Sequence, residues 1–245
     1  IQRLVLSKEG RMKLNRYPDR EFYSFPRYVK HVDDAFLATL TEVYRERIRE
    51  EADVLDLMSS WVSHLPEDVK YKRVVGQGMN AGELARNPRL DKFFVRDLNA
   101  EEGRRWMEEE MEAASFDAVV CTVSVQYLEE PEKVFAGIWR LLRPGGICIM
   151  SFSNRMFYEK AVAAWRDGTA YSRTQLVQQY FQSVSGFTQP EVIRRPSPIT
   201  LKDTTSPFQW LAQLFQAPTS DPFYAVIAHK NFRPILEDSN LPSTN

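Results

Sequence analysis

At 245 residues the chain is long enough for one sizeable hydrophobic core and short for two domains. Lys plus Arg number 32 against 33 for Asp plus Glu, so no net field draws it to nucleic acid or an anionic membrane, and short basic stretches such as Arg194-Arg195 with Lys202 read as a solvated face. No apolar run approaches the ~20 residues needed to cross a bilayer and no cleaved secretory signal is visible, so an intracellular protein, cytoplasmic or organellar, is expected. An opening Ile1 in place of Met is expected of a fragment, a processed form or a trimmed chain, with any targeting segment upstream out of sight.

The first ~20 residues are polar, basic and weakly periodic, and residues 1–32 are expected to form an arm or lead-in to a single domain over 33–230. From Asp33, "DDAFLATLTEVYRERIREEADV" places Phe36, Leu37, Leu40, Val43, Tyr44 and Ile48 on one helical stripe behind an Asp N-cap, and leads into a strand at 53–57. Further strands are expected at 73–76, 93–95, 117–123 and 147–152, with helices between them at 81–86, 100–114 and 131–143. Strands separated by helices of this length predict right-handed crossovers and an α/β, doubly wound, mainly parallel sheet covered on both faces. Beyond it come helices at about 155–166 and 172–183, a strand near 191–195, a short helix at "FQWLAQLF", and a last strand at 223–230 that closes the sheet as an antiparallel pair. Residues 231–245 read as a disordered tail.

Cys121 and Cys148 lie inside apolar strand-like runs, which predicts buried thiols and neither a disulfide nor a metal site. His31, His64 and His229 have no ligand spacing, so no metal is expected.

Ligands of open α/β sheets bind at the carboxyl ends of the strands, so the residues after each strand are the informative ones. In order, "VLDLMSSW", "VVGQGMNAGEL", "VRDLNAE" and "FDAVVCTVSVQYLEEPEKVFAGIWRLLRPGGICIMSFSN" resemble the class I S-adenosylmethionine-dependent methyltransferases, and within them the small-molecule type. The turn Arg140-Leu141-Leu142-Arg143-Pro144-Gly145-Gly146 after "FDAVV" is the most specific element, although Pro and Gly suffice there for a tight turn with no ligand. The resemblance covers roughly residues 33–155 and implies seven strands, the seventh antiparallel, with S-adenosylmethionine as cofactor and a small-molecule acceptor.

It also shows where this sequence departs. The family's first loop runs glycine-x-glycine to admit the cofactor; here Met58, Ser59 and Ser60 follow Asp56, offering hydroxyls that bond a carboxylate or cap a following helix. The acidic residue that ends the family's second strand, where it accepts the ribose hydroxyls, falls on Gly78, leaving Gln77 or Asn80 beside Met79 as neutral substitutes. Asp97, with Leu98, stands where the family meets the adenine, or else caps a helix beginning near Ala100. Val123 ends the fourth strand; Gln126 and Tyr127 either face the substrate or pack a helix start. Asn154 and Arg155 are further wall candidates, and the lead-in residues Tyr23, Arg27, Tyr28 and His31 either cover the cleft as a lid or serve as staple and core.

No essential base is named, because methyl transfer from a sulfonium is driven mainly by positioning. Two readings follow: methyl transfer to a small molecule through a divergent cofactor loop, or a methyltransferase-like binding or assembly module that has lost the cofactor. A nicotinamide dehydrogenase would require Gly-x-Gly-x-x-Gly after the first strand, which is absent.

Overall fold

The alternation of apolar runs and helical stripes folds, in the computed structural model, into one mixed sheet; the structure describes residues 1–195 and 220–232. The strands are β1 (Asp53–Leu57), β2 (Arg73–Gly78), β3 (Lys92–Val95), β4 (Phe116–Thr122), β5 (Leu142–Phe152), β6 (Glu191–Arg195) and β7 (Phe223–His229). Their order is β3-β2-β1-β4-β5-β7-β6, and β7 runs antiparallel to both of its neighbours. The expected α/β fold, with seven strands and an antiparallel last one, is therefore present. The order reverses between β1 and β4, both parallel to each other, and this is where a doubly wound sheet opens a crevice.

Helices cover both faces. α2 (Asp34–Arg47) begins where the sequence places its cap, with the Asp33 carboxylate accepting from the Phe36 amide at 2.8 Å. Its stripe of Phe36, Leu40 and Tyr44 packs on Val54, Val74 and Val120. On the opposite face α5 (Pro131–Leu141) and α7 (Ala170–Gln182) bury Phe135, Ile138 and Phe181 against Leu55, Val119 and Cys148. Both cysteines are buried free thiols, and burial pushes them above their ordinary pKa.

Several boundaries differ from expectation for local reasons. The helix expected over 100–114 is α4 (Glu101–Arg105) running into a wider π turn over Trp106–Glu110, with Arg140 donating to the carbonyls of Met107 and Met111. The Pro144-Gly146 turn belongs to β5: Gly145 takes φ +78°, and the strand bulges against β4 between the Phe116 and Ala118 pairs. The helix expected over 155–166 shrinks to one turn, α6 (Ala163–Arg166). The helix read in "FQWLAQLF" and nearly all of the expected tail lie outside the described residues. Most consequential is the β1–β2 crossover: residues 58–72 contain no helix.

Residues 1–16, expected as a peripheral lead-in, are tied across the domain. The Glu132 carboxylate, buried on α5, accepts from the amides of Val5 and Leu6 and from both terminal nitrogens of Arg11. Burial alone would raise this carboxyl, but Arg11 and the amides hold it below its ordinary value. Glu132→Gln is expected to cost about 1–2 kcal/mol, read as a lower urea midpoint, with proteolysis beginning in the first dozen residues. An unchanged midpoint and cleavage pattern would show that Glu132 does not anchor this segment.

Among the described residues, no helix is long and apolar enough to cross a membrane.

Candidate functional site

The strand ends of β1 to β4 open into a cavity of about 370 Å³, within the size range of small-molecule sites. Each segment contributes: Met58, Ser59 and Ser60 after β1; Gln77, Met79 and Asn80 at β2; Asp97 and Leu98 after β3; Val123, Ser124 and Tyr127 after β4. Arg155, Met156 and Phe157 follow β5, and Asp19, Tyr23, Arg27, Lys30 and His31 close it from the N-terminal side.

The loop after β1 resolves the puzzle of its missing glycines. Met58 adopts φ 54°, the left-handed conformation that glycine takes at no steric penalty. Val123, at the end of β4, does the same at φ 53°, which for a β-branched residue is a genuine outlier. Each costs on the order of 1 kcal/mol, and both line the cavity. The chain thus keeps the backbone turn that glycine would serve while adding a side chain to it. The turn is locked from β2: the Gln77 side chain accepts from the Met58 amide at 3.0 Å and donates to the Arg96 carbonyl at 2.7 Å, and the Ser59 amide donates to the Gln77 carbonyl at 2.7 Å.

The serines do not cap a following helix, since none follows. Ser59 donates to Asp56 at 2.6 Å and Ser60 donates to Glu83 at 2.6 Å. Asp56 lies beneath the loop, outside the main cavity wall, and burial pushes its carboxyl up to about 7 against the lowering pull of the Ser59 hydroxyl.

Gly78 is required by crowding. A Cβ built there would sit 2.3 Å from the Ser59 carbonyl oxygen, so no carboxylate fits at the place where the family carries one. The neutral substitutes expected beside it are spent on structure. Gln77 braces the β1 loop. Asn80 caps α3 (Ala81–Arg86) through the Glu83 amide, and its amide nitrogen donates to the Tyr23 and Ser24 carbonyls. Both side chains still line the cavity while making these bonds.

The carboxylate on this side of the cavity is instead Glu83. Its oxygens accept from Ser60 and from the Arg27 amide at 2.6 Å each. Sequence reasoning passed over it; its amide donates to the Asn80 side chain that caps α3, while its carboxylate lies in the cavity wall.

Asp97 caps no helix. α4 starts at Glu101 behind Ala100 with no side-chain cap, and the Asp97 carboxylate accepts from the Asn99 amide at 2.9 Å while facing the cavity. Burial raises its carboxyl, with Asp19 and Glu129 adding to that and Lys13 opposing. Asp19 has burial working against it as well, yet Lys13, at 2.5 Å, and Lys160, at 2.9 Å, hold it ionised.

The remaining candidates divide. Tyr127 lines the cavity with its hydroxyl accepting from the Phe157 amide at 2.8 Å. Gln126 is buried outside the wall and donates to the Val123 carbonyl. Asn154 is exposed and away from the wall, whereas Arg155 reaches it while paired with Asp221 at 2.7 Å. Of the lead-in residues, Tyr23, Arg27 and His31 face the cavity; Tyr28 lies outside it, edge-on to Trp61 and beneath the Arg86 guanidinium. Phe157 was missed: it sits among Phe22, Tyr23, His31 and Tyr127 as the hub of an aromatic wall.

Among the described residues, no group of three or more His, Cys, Asp or Glu is arranged to hold a metal.

Residues 75–150 match the family model described as a methyltransferase domain. No curated protein matches the chain. Among solved structures, an S-adenosylmethionine-dependent methyltransferase from Archaeoglobus fulgidus is similar at 12% identity and a TM-score of 0.54, over 80% of this chain and 94% of that one. The [4+2]-cyclase SpnF is similar at 16% identity and 0.52, over 80% and 82%. Phosphoethanolamine N-methyltransferase 2 of Haemonchus contortus, solved with phosphomonomethylethanolamine and S-adenosylhomocysteine, is similar at 16% and 0.50, over 81% and 52%. Residues 75–150 are thus similar to a methyltransferase domain, and the seven-stranded sheet has the fold of S-adenosylmethionine-dependent methyltransferases.

Proposed function

We propose that the chain binds S-adenosylmethionine along the ends of β1, β2 and β3 and transfers its methyl group to a small molecule. The observation that carries this is the cavity itself, walled by all four strand-end segments, with the left-handed turn at Met58 retained despite its energetic penalty. In this reading Asp97 and Leu98 meet the adenine, the Met58-Ser59 turn the methionine moiety, and Glu83 the ribose hydroxyls. Glu83 suits that role because each of its oxygens accepts one bond from the protein and keeps a further lone pair.

The cofactor would supply a methyl group on a sulfonium, whose sulfide is a good leaving group. The protein's own contribution is then to position the acceptor and exclude water. Tyr127 is fixed by its bond from the Phe157 amide, and Tyr23 and Phe157 close the wall beside it.

A second reading, a binding or assembly module without cofactor, is favoured by one observation: the Ser59 carbonyl fills the place of the family's ribose-binding acid. The similarity to a [4+2]-cyclase also illustrates that this fold hosts more than one chemistry.

Calorimetric titration with S-adenosylhomocysteine separates the two. The first reading expects saturable heat from the wild type and about tenfold weaker binding in Asp97→Ala, the loss of one charge-assisted contact. No heat at millimolar ligand would remove it and leave the module.

A further inference from the structure

We infer that the acceptor is a small organic oxyacid, and that Arg27 holds its anionic group. This rests on the methyl-transfer reading and adds to it the acceptor's chemical class.

Three side chains lining the cavity carry a permanent positive charge. Lys30 pairs with Asp34, and Arg155 with Asp221. Arg27 has no carboxylate within ion-pair distance of its guanidinium among the described residues. Its Nη2 donates to the Phe22 carbonyl at 3.0 Å, while its Nη1 is buried and finds no hydrogen-bond partner. A buried guanidinium donor without a partner is costly, and this one belongs to a side chain that lines the cavity.

The arginine is also held in place. Its amide is tied to Glu83 at 2.6 Å, and its guanidinium lies 4.6 Å from the Phe22 ring centre and 5.5 Å from that of Phe157. A guanidinium stacked on aromatic faces spends no further rotamer entropy in presenting its fork, and that fork matches a carboxylate or phosphate. His31 adds no competing charge: burial first, then Arg27, lower its pKa against the pull of Glu83, and it faces the same wall. The apolar surface next to the fork is the Phe157 ring, in contact with Tyr23 and Tyr127. An oxyacid with a flat apolar body therefore fits the fork and the wall together.

The test titrates benzoate, phenyl phosphate and the neutral benzamide into the full chain, each with and without S-adenosylhomocysteine, with affinities read by ligand-observed NMR. At least one of the two acids is expected to bind about tenfold more tightly than benzamide, and which one does so distinguishes a carboxylate from a phosphate acceptor. Arg27→Gln is expected to abolish the preference and Arg27→Lys to keep part of it, so retention in the lysine variant guards against a folding artefact.

Equal binding of acid and amide, a preference that survives Arg27→Gln, or no binding by any of the three would overturn the inference. The cofactor reading is scored separately: anion preference without any S-adenosylhomocysteine binding sinks methyl transfer and leaves the Arg27 site, whereas the reverse pattern sinks the Arg27 site alone.

Discussion

Gly78→Asp, which restores the acid that the family carries at the end of β2, is expected to lower stability by about 3 kcal/mol and the melting temperature by roughly 6–12 °C, without tightening the binding of S-adenosylhomocysteine. The cause is the 2.3 Å approach of the Ser59 carbonyl oxygen to the place of the new Cβ. Leu84 adds contacts at 3.2 and 3.3 Å, so the new side chain has nowhere to turn without displacing the β1 loop or α3. Since the collision is with a main-chain oxygen, Gly78→Ala should show most of the loss, and adding Ser59→Gly should not rescue it. A Gly78→Asp protein that melts like the wild type, or binds the ligand more tightly, would show that the loop yields and that the ribose end can be rebuilt in the family's manner.

Asp56→Asn should become progressively more stable than the wild type as pH rises from 4 to 7. In the folded chain burial holds the Asp56 carboxyl protonated to about pH 7, whereas the unfolded chain ionises near its ordinary value of 3.8. Between those values the unfolded state has released a proton that the folded state still binds, so the wild type loses stability with rising pH. The stability contributed by a protonated Asp56 is complete below the unfolded value and falls away through the folded one, on the order of 4 kcal/mol in all. An asparagine keeps an oxygen to accept the Ser59 hydroxyl and carries no charge to desolvate. Thermal melts of both proteins across this pH range read the difference. A gap that stays flat with pH would mean that Asp56 is ionised in the fold and that the β1 loop is organised around a charge.

The sheet was legible because its signals are local. Val54-Leu55 and the run from Ala118 to Cys121 are apolar on both faces, as strands buried on both sides must be, and Asp33 heads the stripe of α2. The strand-end segments were legible for the same reason, since topology alone brings them to one edge.

What the sequence concealed is set by long-range approach. Nothing in "GQGMN" shows that Gly78 faces the Ser59 carbonyl, or that the Gln77 and Asn80 amides are consumed by backbone partners up to 57 residues away. Glu83 carries the spacing of a capping residue and does other work, because Ser60 and the Arg27 amide compete for its oxygens. The helix expected from 100 gives way to a π turn whose Met107 carbonyl accepts from Arg140, thirty-three residues away, a partner that the local pattern cannot show. Met58 was legible as a non-glycine residue where the family's loop carries glycine, but its left-handed backbone, φ 54°, was not.

The most direct test of the account is a crystal structure of the full chain grown or soaked with millimolar S-adenosylhomocysteine. Ligand density is expected along the ends of β1, β2 and β3, with the adenine beside Asp97 and Leu98, the ribose hydroxyls within hydrogen-bond distance of Glu83, and Met58 still left-handed. A cavity that stays free of ligand at that concentration, or a ligand bound away from these strand ends, would contradict it.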